Sequence, residues 1–208
     1  MDSLELVNAV APYATAIVAI FAAAFTAWLS HRNWLKQFSI QRSEALLKEQ
    51  IRLMQEVPKA LNDALAMAVE ALYSLACSDA FAKAQQSAAA NSFMDSHRSY
   101  QAKLLELLRE LELTEIAVRI YFGEQASQYV SDFRSMLLKA SINSTQVEQV
   151  RAAIGEALAS IDLQSDDMQA VIAKLVPAVM PHIALVFAPA KELRLAAVRA
   201  MASRVNAG

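Results

Sequence analysis

The sequence predicts an all-α protein, and three observations carry that prediction. Its 208 residues include only 3 glycines, so turns that need left-handed backbone are few. Ala, Leu, Glu, Gln, Lys, Arg and Met dominate, and these are the strong helix formers. No run alternates β-branched and polar residues as a half-buried strand would. The architecture expected is a single N-terminal transmembrane helix continuing into a cytoplasmic helical bundle. The N-terminal segment and anchor occupy 1–34. The bundle occupies 35–208, with 35–78 a stalk-like long helix kinked near Pro58.

The anchor is the first element. Ala9 to Leu29 carries no charged side chain, and a helix needs ~20 apolar residues to cross the hydrocarbon core. A cleaved secretory signal would have a basic n-region and a shorter apolar core. Here the preceding flank is acidic, with Asp2 and Glu5. Trp28 and Trp34 straddle the end of the run, with His31, Arg32 and Lys36 among them. Indole rings favour the headgroup level, and Lys and Arg near a span favour the cytoplasm. The expected site is the inner membrane, with the N-terminus outside and the C-terminal domain cytoplasmic. Trp28, His31, Arg32, Trp34 and Lys36 form the membrane-interface set.

Within the span, Ala11, Thr15, Ala19, Ala23 and Ala27 recur every fourth residue and share one helix face. A stripe of small residues lets two backbones approach closely in lipid. It supports self-association, or it is simply an Ala-rich anchor.

After the span, Leu47, Ile51, Met54, Leu61, Leu65, Ala68, Leu72 and Leu75 recur at helical steps, which predicts one apolar stripe against a partner helix. Ile40, Leu47, Met54 and Leu61 are spaced by sevens, as in a coiled-coil seam. They join the small stripe as the oligomerisation set. The weakly patterned stretch 79–92 extends that helix or connects it to the next. Asp95 and Ser96 are the expected N-caps of a helix through Leu113. Thr114 and Glu115 start another, which Gly123 stops. A further helix runs from Glu124 to Ser141. Asn143 and Ser144 break it, and Thr145 to Glu148 reads as a capping box for the next. Ser165, Asp166 and Asp167 open the last region. Its stretch 175–190 is highly apolar but interrupted by Pro177, Pro181 and Pro189. Three readings stand there: a kinked pair of core helices, a membrane-surface element, or an oligomer interface.

A net charge of −2 implies no nucleic-acid surface. The sole cysteine, Cys77, excludes an internal disulfide. Its apolar helical context predicts a buried structural thiol. His31, His97 and His182 lie far apart in the sequence and lack the spacing of helical metal ligands. Phosphate-binding and nucleophile-elbow motifs are missing. The closely spaced Arg and His of HEPN ribonucleases has no counterpart either. The chain is therefore expected to be no enzyme, with no catalytic residues, cofactor or metal.

The juxtamembrane run His31 to Phe38, followed by the Tyr121-Phe-Gly-Glu124 turn leading to Tyr129 and Phe133, resembles a loose group of small bacterial single-pass inner-membrane proteins. The layout is similar to membrane-tethered accessory effectors of phage-defence systems, in which a cytoplasmic helical domain controls a membrane oligomer. That likeness implies an interaction or effector protein that perturbs the inner membrane when a cytosolic protein partner triggers it. The alternative is a passive membrane-anchored adaptor. The partners expected are membrane lipid, further copies of the chain and a cytosolic protein, with no nucleic acid.

Overall fold

A computed structural model describes residues 3–83, 85–142, 145–159 and 168–206, with side chains placed for 23, 25–83, 85–139, 148–157, 159 and 169–205. Among the described residues, all regular structure is helical. The helices are α1 (Ser3–Lys83), α2 (Ser87–Phe122), α3 (Glu124–Ile142), α4 (Thr145–Ala159) and α5 (Met168–Asn206). The chain divides into two compact units, Met1–Glu49 and Gln50–Gly208.

The unit Met1–Glu49 is the first part of α1. The charge-free run Ala9 to Leu29 is helical throughout. The side chains of Ala11, Thr15 and Ala19 lie outside the described residues, whereas Ala23 and Ala27 are exposed.

The unit Gln50–Gly208 is a helical bundle with its own core. The buried stripe of α1 runs Leu53, Val57, Leu61, Ala64, Ala68 and Leu72, at the three- and four-residue steps of one helix face. This corrects the predicted stripe in part. Leu61, Ala68 and Leu72 are buried as expected, but Leu47 and Ile51 are exposed, at 49% and 50%. Leu53 lies two residues on from Ile51, which at 100° per residue places it on the other side of the helix. The helix runs through Pro58 without interruption.

Helix α1 ends without glycine. Gln85 adopts φ 59. Its N–H donates to Ala82 O (3.1 Å), and the N–H of Gln86 donates to Phe81 O (2.9 Å). These are the paired hydrogen bonds of a Schellman closure, which usually places Gly at the left-handed position. Helix α2 then starts at Ser87, well before the expected caps. Ala88, Ala89 and Ala90 are the best helix formers and need no special signal. Asp95 lies inside α2 and pairs with Arg98 at 3.3 Å.

No new helix begins at Thr114. Its hydroxyl donates to Glu110 O at 2.9 Å, so the side chain is satisfied within α2 and caps nothing. Gly123 does end α2. It has φ 91, its N–H donates to Arg119 O, and its carbonyl accepts from Ser127 N in α3. One residue thus closes α2 and opens α3.

Helix α5 is a single helix containing Pro177, Pro181 and Pro189, not the kinked pair. Val171, Leu175, Val179, Ile183, Phe187 and Ala190 on one face are buried, and all three prolines lie exposed on the other. Core packing holds the helix through substitutions that would break an isolated one.

Helix α3 packs on α2 and α5, and α4 packs on α5. Polar contacts fix α1 in the bundle. Ser78 Oγ donates to Ala90 O (2.9 Å), and a His97 ring nitrogen pairs with Ala71 O (2.8 Å). Gln50 Nε2 donates to Tyr121 O (3.1 Å). Asp79 pairs with Arg151 at 2.8 Å, and Arg194 donates to Asn62 Oδ1.

Candidate membrane-facing and partner-facing surfaces

The expected interface residues lie on α1, and all but Lys36 fall into two series of ring contacts. Phe25 stacks on Trp28 with centroids 6.0 Å apart. The Arg32 guanidinium sits 5.5 Å over the Trp28 ring. His31 stacks on Trp34 at 6.2 Å, and Trp34 on Phe38 at 5.5 Å. Helical steps of three and four bring these rings together. The stacking leaves them outward-facing: Trp28 is 53% exposed and Trp34 56%. His31, Arg32 and Lys36 are exposed as well. Large aromatic side chains of this kind are normally covered by something apolar.

The seven-residue series divides. Ile40 and Leu47 are exposed, Met54 packs partly against the bundle core, and Leu61 is completely buried in it. Leu61 therefore fills the chain's own core, whereas Ile40 and Leu47 have outward faces.

Two further surfaces stand out, of which the one on α5 falls in the stretch 175–190, where a membrane-surface element and an oligomer interface are two of the three expected readings. Helix α2 is apolar on both sides. Leu104, Leu108, Leu111 and Val118 enter the core, while Leu105, Leu113, Ile116 and Ile120 remain exposed. The second is the outer face of α5, where Leu185 is exposed beside Pro177 and Pro181, with Val176 and Met180 partly exposed on the flank next to the core. An open groove of about 390 Å³ lies between α5 and α1, lined by Leu65, Val69, Ile183, Ala184 and Phe187, with Lys191 at its edge.

The interior offers little chemistry. Cys77 is fully buried. Burial pushes its thiol up to about 12, and the Tyr73 hydroxyl one turn away offsets this only in part. The Tyr73 hydroxyl is itself buried, and burial chiefly, with Cys77 adding, raises it well above its ordinary range. A thiol held neutral in this way is neither nucleophile nor metal ligand. No group of three His, Cys, Asp or Glu side chains able to hold a metal occurs among the described residues. The polar cluster between α2 and α3 joins Arg134 to Glu112 (2.7 Å) and Glu115 (3.6 Å), and Arg119 to Glu124 (3.1 Å). It pins the two helices on either side of Gly123.

Among the residues whose side chains are described, two helical segments are long and apolar enough to cross a membrane, one within Phe25–Lys83, 56% buried, and one within Gln169–Val205, 33% buried. No protein-family model, curated protein or solved structure matches this chain. What the protein is rests on its surfaces alone: it is an all-α protein with candidate membrane-spanning helices.

Proposed function

We propose that this chain is a membrane-anchored helical interaction protein. The N-terminal unit holds it in the inner membrane, N-terminus outside, and the unit Gln50–Gly208 meets a cytosolic partner. The observation that carries this reading is the charge-free run Ala9 to Leu29 inside α1, ending in exposed, mutually stacked aromatics among Arg32 and Lys36. A bilayer satisfies each part: hydrocarbon covers the run, and the headgroup layer takes the indoles and cations. No catalytic role is proposed.

Self-association follows from the small stripe through Ala23 and Ala27 and from the outward Ile40 and Leu47. It favours an effector that acts on the membrane as an oligomer over a passive adaptor. Carbonate extraction of inner membranes tests the anchor: the protein should stay in the pellet, and release into the supernatant would contradict it. Native mass spectrometry of Ala19→Leu/Ala23→Leu in mild detergent tests assembly. Loss of the oligomer is expected, and a wild-type monomer would remove the effector reading.

A further inference from the structure

We propose that the outer face of α5 is a second membrane contact, lying in the headgroup layer of an anionic bilayer rather than crossing it. The inference deepens the membrane-anchored reading and rests on it.

Three observations converge. First, the most apolar stretch of α5 is long enough and apolar enough to cross a membrane, yet only 33% of it is buried. The core takes the stripe through Val179 and Ile183. Leu185, at 72% exposure, stands on the outward side with Pro177, Pro181, Ala178 and Ala188, while Val176 and Met180, at 39% and 38%, lie on the flank beside the core. An apolar face of this kind on a finished bundle marks an interaction surface.

Second, the charge on this helix fits an anionic partner. Lys174, Lys191, Arg194, Arg199 and Arg204 are accompanied by a single carboxylate, Glu192, on a chain whose net charge is −2. Lys174 and Arg199 flank the outward apolar stretch on its own face, because α-helical spacing brings both onto the side that carries Pro181. Among the described residues, no carboxylate lies within ion-pair distance of Lys191 or Arg199. Basic residues beside an apolar helix face bind anionic headgroups, each contributing by attraction within a Debye length.

Third, the prolines set the depth. Pro177, Pro181 and Pro189 donate no hydrogen bond, so the carbonyls of Ala173, Pro177 and Leu185 lack their usual helical donor. Carbonyls four residues back share the prolines' exposed face. In hydrocarbon, unsatisfied carbonyls are strongly unfavourable, whereas the hydrated headgroup layer supplies donors. The opposite face of α5 is occupied by α3 and α4, which also excludes a lipid-surrounded span. The outcome is a helix lying about 5–10 Å into the boundary between headgroups and acyl chains.

The test uses the full chain carrying a nitrobenzoxadiazole probe at Leu185→Cys, with Leu113→Cys on α2 as the comparison. The buried Cys77 stays unlabelled. In phosphatidylglycerol-rich vesicles the Leu185 probe should shift to the blue and be quenched by brominated acyl chains. In phosphatidylcholine vesicles it should shift much less, and the Leu113 probe should report water in both. Lys191→Glu/Arg199→Glu should remove most of the Leu185 shift. The emission of Trp28 and Trp34 reports the anchor separately. Membrane-quenched tryptophans with a water-exposed Leu185 probe would overturn this inference alone. Tryptophans insensitive to vesicles would overturn the anchor. A Leu185→Cys chain that forms a disulfide-linked dimer through this position under mild oxidation in the vesicles would show that a second copy covers the face, which also overturns the proposal.

Discussion

Ile40, Leu47, Met54 and Leu61 lie seven residues apart on one helix, yet their surroundings differ completely. Ile40 and Leu47, in the N-terminal unit, are about half exposed, whereas Leu61, in the bundle, is fully buried. The same pattern thus serves two environments. In the bundle it is answered by α2 and α5 through contacts such as Ser78 with Ala90 and Arg194 with Asn62. In the N-terminal unit the apolar and aromatic residues face outward. Periodicity identifies the face of a helix, and it leaves open what covers that face.

Truncating equivalent residues in the two units should give the largest difference. Leu61→Ala should destabilise the bundle by about 2–5 kcal/mol, the usual result of opening a cavity in a packed core. Leu47→Ala should change stability by less than ~0.5 kcal/mol, as at most exposed sites. Urea melts of both variants in detergent, followed by circular dichroism, provide the measurement. Equal losses would mean that Leu47 is also packed.

Alkaline pH offers a probe confined to the bundle. Cys77 rises from an ordinary value of 9.0 to about 12 because the fold buries it. The folded state therefore holds the thiol proton more tightly than the unfolded state does. That stabilisation is complete below pH 9 and is lost as pH rises toward 12. It is of the order of a few kcal/mol, since each tenfold gain in proton affinity corresponds to about 1.4 kcal/mol. Cys77→Ser should flatten the decline between pH 9 and 12. In the native wild type, the thiol should resist alkylation at pH 8.

Smaller effects sharpen the helix ends. Gly123 has φ 91, and an added Cβ would meet nothing within 4 Å. With ψ 177 it lies in a region open essentially to glycine alone, so Gly123→Ala should cost on the order of 1–3 kcal/mol from backbone conformation alone. Gln85, with φ 59, is the reverse case. Gln85→Gly should stabilise the bundle by about 0.5–1 kcal/mol, the relief of the left-handed strain less the entropy of glycine. Thermal melts of the pair should move in opposite directions.

Several features were legible in the sequence for physical reasons. The helical composition, the stop at Gly123 and the buried Cys77 each follow from a residue's own conformational or chemical preference. The phase of the α1 stripe was not legible: Leu47, Ile51, Leu53 and Val57 are all apolar, and only the partner helices decide which are buried. The start of α2 escaped because an alanine run carries no cap signal. The false start at Thr114 arose because a hydroxyl that caps a new helix can equally bond back to Glu110 within an existing one. Helix α5 runs through three prolines because its core face outweighs their local penalty, and only the tertiary structure shows that face. Of the candidate surfaces, the aromatic and basic cluster around Trp28 and Trp34 could be located in advance. The exposed row Leu105 to Ile120 could not, because α2 is apolar on both sides.

On the proposed reading the N-terminal unit lies in a bilayer, and the chain carries its own reporter. Its 2 tryptophans are Trp28 and Trp34, exposed by 53% and 56%, so intrinsic emission reads that unit alone. On reconstitution into vesicles the emission should shift to the blue. Lipids brominated high on the acyl chain should quench it more than lipids brominated near the bilayer centre, as expected for indoles at the headgroup level. Water-like emission that vesicles and brominated lipids leave unchanged would contradict the anchor.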